Sequence, residues 1–133
     1  MAFFFGLGFF FISAVCYSPD SSASTKIIGK IQTRTLPSDT FDCVVTTEML
    51  EHDARFWISI LQFNRVLRAG GFLLVTTRNV GFWRHDYPSD FWRFTADGLR
   101  ELFKWGGFVV LEALDDEADQ GTYAVGRKAV NRD

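Results

Sequence analysis

Apolar and polar positions follow two rhythms along this chain. Phe41-Asp-Cys-Val-Val-Thr-Thr47 and Phe72-Leu-Leu-Val-Thr-Thr77 are apolar runs too short for helices and rich in β-branched residues, so both predict strands. The first carries apolar residues on both faces, as a buried parallel strand does. Between them, apolar residues at 56, 60, 63 and 67, with 57 and 61, keep a 3.6-residue period and predict a helix running to Arg68. Asp53 is placed to cap that helix. Gly70 and Gly71 are placed to end it, because glycine takes the left-handed conformation of a helix exit. A second helix is predicted over 96–105, capped by Thr95, with Leu99, Leu102 and Phe103 inward and Gly106-Gly107 closing it. Residues 108–113 and 122–126 predict two last strands, joined by an acidic stretch over 115–119 that reads as a solvated hairpin tip. Residues 27–31 have the pattern of a short edge strand, and Leu36-Pro-Ser-Asp-Thr40 that of a loop. Strand, polar tip, helix, glycine turn and strand form a βαβ unit. The class is α/β, and in an open parallel sheet ligands bind at the carboxyl ends of the strands.

Length limits this architecture. At 133 residues the chain holds one domain at most and is short for a complete doubly wound sheet. Its 47% apolar and 23% charged content is that of a globular protein. A net charge of −2 and the absence of a basic patch beside the aromatic residues exclude electrostatic attraction to nucleic acid. Six of the fifteen Phe fall in the first eleven residues. The uncharged segment 1–17 is shorter than the ~20 apolar residues of a spanning helix. It also lacks the basic start of a secretory signal, since the first cation is Lys26. Residues 1–25, this segment and a Ser-rich linker, are therefore expected to stand outside a domain over 26–133, as a displaced start or reading frame would leave them. A membrane anchor through residues 1–17 is the alternative. Cys16 and Cys43 make no disulfide framework, and Cys43 within an apolar strand reads as the buried reduced thiol of a cytoplasmic protein.

Candidate chemistry gathers in two places. Glu48, Glu51 and His52 follow the end of a buried strand, where they can contact a cofactor or supply a base. The same residues also suit a polar first turn ahead of the helix. The stretch 78–94 interleaves Phe, Trp and Tyr with Arg84, His85, Asp86, Asp90 and Arg93, a composition suited to a lid over an organic substrate. Asp90 and Arg93, three apart, are expected to pair and staple that loop. Glu48, Glu51, His52, His85, Asp86 and Asp90 offer oxygen and nitrogen ligands. Their spacing matches no compact signature such as two His four apart on one helix, so no metal site is expected.

Taken in order, Leu36-Pro-Ser-Asp-Thr-Phe-Asp-Cys-Val-Val-Thr-Thr-Glu-Met-Leu-Glu-His52, Arg65-Val-Leu-Arg-Ala-Gly-Gly-Phe-Leu-Leu-Val-Thr-Thr77 and His85-Asp-Tyr-Pro-Ser-Asp-Phe-Trp-Arg-Phe-Thr95 resemble a known family. It is the class I S-adenosylmethionine-dependent methyltransferases of the type 11-like subgroup, and the likeness covers their carboxyl-terminal half. The resemblance implies a partial Rossmann-like sheet, its fourth to seventh strands, with the last strand antiparallel. It implies S-adenosylmethionine as cofactor, with Thr46, Thr47, Glu48, Met49 and His52 near its methionine end and Ile31 near the adenine. Before that apolar residue the family often has an acid, whereas this chain has Lys30. Arg78, Asn79, Trp83, Asp86, Trp92 and Arg93 would form the lid over a small-molecule acceptor, and His85 would be the general base. The family's glycine-rich turn after an acid-ended strand has no counterpart here, since Phe5-Gly-Leu-Gly-Phe9 lacks the acid and the strand–turn–helix setting. The expectation is methyl transfer by a truncated piece, with little activity from this chain alone. The alternatives are a non-catalytic half-domain that pairs with a partner chain or itself through an exposed sheet edge, and a membrane-tethered accessory protein.

Overall fold

In the computed structural model the residues described are 13–17 and 25–28, by their backbone, and 36–85 and 89–130. The strands are β1 (Ser13–Tyr17), β2 (Thr25–Ile28), β3 (Phe41–Thr47), β4 (Leu67–Arg78), β5 (Phe108–Asp116) and β6 (Gly121–Lys128), and the helices are α1 (Phe56–Val66) and α2 (Ala96–Trp105). They build one mixed sheet in the order β2-β1-β3-β4-β6-β5. β3 and β4 pair in parallel across the α1 crossover, and β6 inserts antiparallel between β4 and β5. The α/β class and the antiparallel last strand agree with the sequence reading.

Register explains which residues became core. Val44, Leu73 and Gly126 stand in one cross-strand row, and Thr46, Val75 and Ala124 in the next. Leu73, Val75 and Ala124 are buried with Ile60, Phe63 and Val66 of α1 and Leu99 and Phe103 of α2, so both helices cover the same face. The small residues on β6 make room for α2: a Cβ at Gly126 would stand 2.6 Å from the Phe103 ring. α2 begins as its sequence prescribes, with the Thr95 hydroxyl accepting from Gly98 N at 3.1 Å. Gly107 closes it with φ +83°.

Three details differ from the sequence reading. α1 stops at Val66, where Leu67 turns extended, and the glycines come later. Asp42 alone separates the residues of β3 that pair with Leu67 and Phe72, so Arg68 to Gly71 form an irregularity in β4. Gly70 supplies its φ of +78°, and a Cβ at Gly71 would press on the Arg68 and Asp42 carbonyls at 2.9 and 3.1 Å. Asp53 does not occupy the N-cap of α1, which is Arg55; its carboxylate accepts from Arg55 N and the Ser59 hydroxyl instead. An exposed sheet edge was expected, and that of β3 is taken by Ser13–Tyr17, which pairs antiparallel with it and carries β2 on its far side. Strand-edge N–H and C=O groups need partners, and this short segment provides them. The predicted edge strand over 27–31 is described as Thr25–Ile28. Ile31 and Asp86 lie outside the described residues. Among the described residues no helix is long and apolar enough to cross a membrane.

Candidate functional site

The polar groups collect beyond the carboxyl ends of β3 and β4. Immediately after Thr47 the backbone of Glu48 turns left-handed, φ 49°, a conformation that costs a non-glycine residue about 1–3 kcal/mol and persists only where its surroundings enforce it. Here Glu48 N donates to Thr76 O at 2.9 Å, the Thr76 hydroxyl donates to Glu48 Oε1 at 3.1 Å, and Arg78 forms an ion pair with the other carboxylate oxygen. A single 3-10 turn, Leu50–His52, follows. It drives Glu51 inward until the side chain is 0% exposed. Glu51 Oε2 accepts from the Thr77 hydroxyl at 2.7 Å, whereas Oε1 has no hydrogen-bond partner among the described residues. Burial pushes this carboxyl above its ordinary value, against the opposing pull of the Thr77 bond.

The long loop after β4 folds back over this turn. Phe91 N and Trp92 N both donate to the Glu51 carbonyl, at 2.8 and 3.2 Å. Trp92 Nε1 donates to Asp53 O at 3.0 Å. The expected staple is present: Arg93 grips Asp90 bidentately at 2.5 and 2.6 Å and gives further N–H groups to the Phe82, Trp83 and Trp92 carbonyls. Arg93 thereby holds the Asp90 carboxyl well below the usual carboxylate range. The staple delivers His85 to His52. Their Nε2 atoms lie 3.0 Å apart, and the rings meet edge to face at 4.7 Å between centroids. His52 Nδ1 is 2.7 Å from Ser89 O. His85 Nδ1 lies 3.2 Å from Asp90 Oδ2, close enough for an ion pair but short of a well-aligned hydrogen bond.

Not all the residues expected at the cofactor stand together. Thr47 is exposed at the strand tip and Glu48 lies beside it. Thr46 and Met49 are buried on the helix side, the hydroxyl 3.4 Å from the Met49 sulfur. Of the lid residues, Arg78 lies over the Phe82 ring at 4.1 Å, Asn79 donates to Asp115 at 2.7 Å, and Trp83 stacks on Phe82 with 68% of its surface exposed. Two cavities flank the strand tips. One of about 250 Å³ is lined by Glu48, Thr76, Arg78 and Tyr123, and one of about 350 Å³ by Asn79, Gly81, Asp115 and Gln120. A larger cavity, about 550 Å³ between Asn64, Gly107 and Lys128, sits at the opposite ends of the strands, away from every predicted site residue. Cys43 takes no part: burial and then the Asp42 charge push its thiol up, so it stays protonated. The sequence reading left Thr77 and the Ser89 carbonyl unmarked. No local signal marks them, because each acquires a polar partner only through the fold.

Comparison with known proteins bears on this geometry. Residues 13–75 match the family described as "Methyltransferase domain". No curated protein matches the chain. Among solved structures, the [4+2]-cyclase SpnF superposes with a TM-score of 0.65 at 18% identity, over 79% of this chain and 56% of its own. A chain from the complex between the Haloferax volcanii Trm112 methyltransferase activator and the putative methyltransferase gives 0.65 at 16%, over 80% and 62%. A SAM-dependent methyltransferase from Methanosarcina mazei gives 0.60 at 15%, over 86% and 74%. At these identities the likeness shows the fold, and the chain spans little more than half the length of the first two structures.

Proposed function

We propose that this chain is a class I S-adenosylmethionine-dependent methyltransferase of the type 11-like subgroup, and that its strand-tip site serves methyl transfer to a small acceptor. The observation that carries the proposal is the joining of three parts. The polar tip of β3 runs into the Glu51–His52 turn, and the aromatic loop fixed by Asp90 and Arg93 is hydrogen-bonded to that turn through Phe91 N and Trp92 N. Bound S-adenosylmethionine would supply a methyl group on a sulfonium, the acceptor attacking the methyl carbon in line while the C–S bond breaks and the neutral thioether leaves. Alignment and exclusion of water then matter more than acid–base strength. Thr47 and Glu48 fit one end of that cofactor. Their hydroxyl and carboxylate suit an ammonium, and Arg78 beside Glu48 suits a carboxylate. Phe82 and Trp83 give the acceptor an apolar wall, and His85 takes its proton into the His85–His52 pair.

The cavities beside Glu48 and Asn79, about 250 and 350 Å³, stand at the lower limit of the roughly 300–1,000 Å³ that enclose an organic ligand. We therefore assign the ribose and adenine contacts to a second half-domain. Isothermal titration with S-adenosylmethionine is expected to show no saturable binding to this chain alone, and micromolar affinity would overturn that assignment. A partner chain is the second reading, because β2 and β5 end the sheet with unpaired edges among the described residues. A matched structure holding a methyltransferase activator lends it support. Sedimentation velocity separates the readings, since self-association that rises with concentration favours pairing through an edge.

A further inference from the structure

The chain has two histidines, 33 residues apart in sequence, and the fold brings their Nε2 atoms to 3.0 Å. Each ring turns its Nδ1 toward an oxygen, His52 to Ser89 O and His85 to Asp90 Oδ2. With the Nδ1 positions protonated, both Nε2 atoms present lone pairs to one another. This arrangement is unfavourable unless something positive lies between them. Glu51 Oε1 stands 3.9 Å from His52 Nε2, and the three ligand atoms lie within 4.8 Å of one another. That oxygen belongs to a fully buried carboxylate and has no hydrogen-bond partner among the described residues. A shared proton would answer the two imidazoles but would leave Glu51 Oε1 unsatisfied, at a cost of about 1–3 kcal/mol or more for a charged group.

From this geometry we propose that Glu51, His52 and His85 form a site for a divalent first-row transition cation. Two imidazoles and one carboxylate are a ligand set that Zn²⁺ and Fe²⁺ accept, with positions left open for water or a ligand oxygen. Donors about 2.0–2.2 Å from a tetrahedral ion stand roughly 3.3 Å apart, so the present spacing needs only a small adjustment. The outer contacts approach the form found behind metal-bound histidines, a carbonyl in hydrogen-bond reach of the His52 ring and a carboxylate at ion-pair distance from the His85 ring. Thr77 holds the second Glu51 oxygen, and the Phe91 and Trp92 N–H groups hold its carbonyl, so the ligand is braced before a cation arrives. Phe82 and Trp83 are both in ring contact with His85, so the site borders the aromatic loop. The site stands independently of methyl transfer. With a cation bound, His85 is a ligand and no longer the acceptor's base.

The test uses the tag-free full chain, stripped with a chelator, titrated with Zn²⁺ by calorimetry and with Co²⁺ by visible absorption. One equivalent should bind, with the Co²⁺ bands of a site of low coordination number. His85→Ala and Glu51→Gln should each weaken binding by at least about tenfold. Cys43→Ser should leave it unchanged. Absence of saturable binding, an affinity indifferent to His85→Ala, or loss of binding in Cys43→Ser would overturn the site. His85 lies on a loop, so His85→Ala decides the matter even if Glu51→Gln fails to fold.

Discussion

The two faces of the central sheet are built from the same strands and have different fates. On one face Val44, Thr46, Leu73, Val75 and Ala124 are buried beneath α1 and α2. On the other, the rows Val45–Leu74–Val125 and Cys43–Phe72–Arg127 meet no helix among the described residues, and Phe72, Val109 and Leu111 are each more than 40% exposed. A strand with apolar residues on both sides is made to be covered twice. Among the described residues this sheet is covered once, so its stability and its polar site both depend on the helix side, where Thr77 and Glu51 also lie. The bare face is an apolar surface of the kind that marks an interaction site.

The largest expected effect falls on the covered face. Phe103→Ala, beneath α2 and above Gly126, should cost about 3–5 kcal/mol in urea unfolding. A value under about 1 kcal/mol would mean that the covered face is not the stability core. Next comes the rim. Asp90→Asn should cost about 1.5–3 kcal/mol at neutral pH by breaking the grip of Arg93. The sign with pH follows from the depressed carboxyl: its stabilisation is complete above the ordinary Asp value of 3.8 and is lost as pH falls through the lower folded value. The gap between variant and parent should therefore close in strong acid, and a gap that persists there would assign the loss to packing.

Gly106→Ala probes how tightly the helices meet, because its Cβ would stand 2.4 Å from Ile60 Cγ2. A loss of about 1–3 kcal/mol is expected from the forced shift. A neutral result would show that α1 and α2 slide freely over the face. The smallest effect belongs to the bare face. Val109→Ser, at 57% exposure, should change stability by less than about 0.5 kcal/mol. A cost above about 2 kcal/mol would show that this face is covered in solution, and the comparison of the two faces would then fail.

How legible these features were depended on how local they are. Thr95 and Gly107 bound α2 where the sequence placed them, because a hydroxyl cap and a left-handed glycine act within one turn. The Asp90–Arg93 pair was legible for the same reason. The end of α1 was not: its apolar period runs on into Leu67, and the pairing of Leu67 with Phe41, a tertiary contact, pulls the chain out of the helix. Asp53 was misplaced similarly, since a buried Ser59 hydroxyl competes for its carboxylate. The pairing of Ser13–Tyr17 with β3 was invisible too, because a strand partner distant in sequence leaves no local trace.

By itself the sequence determined the α/β order of elements from β3 onward, the glycine exit of α2 and the polar strand tips. Each of these follows from periods of two or 3.6 residues and from the steric freedom of single residues. Only the tertiary structure decided which face of the sheet was covered and that His85 would meet His52 beside a Glu51 oxygen with no hydrogen-bond partner among the described residues. Spacing along the chain predicts neighbours only within an element. Where residues lie 33 apart, their separation is set by every turn between them and by the bonds, Asp90 to Arg93 and Glu51 to Phe91, that fix the loop in place.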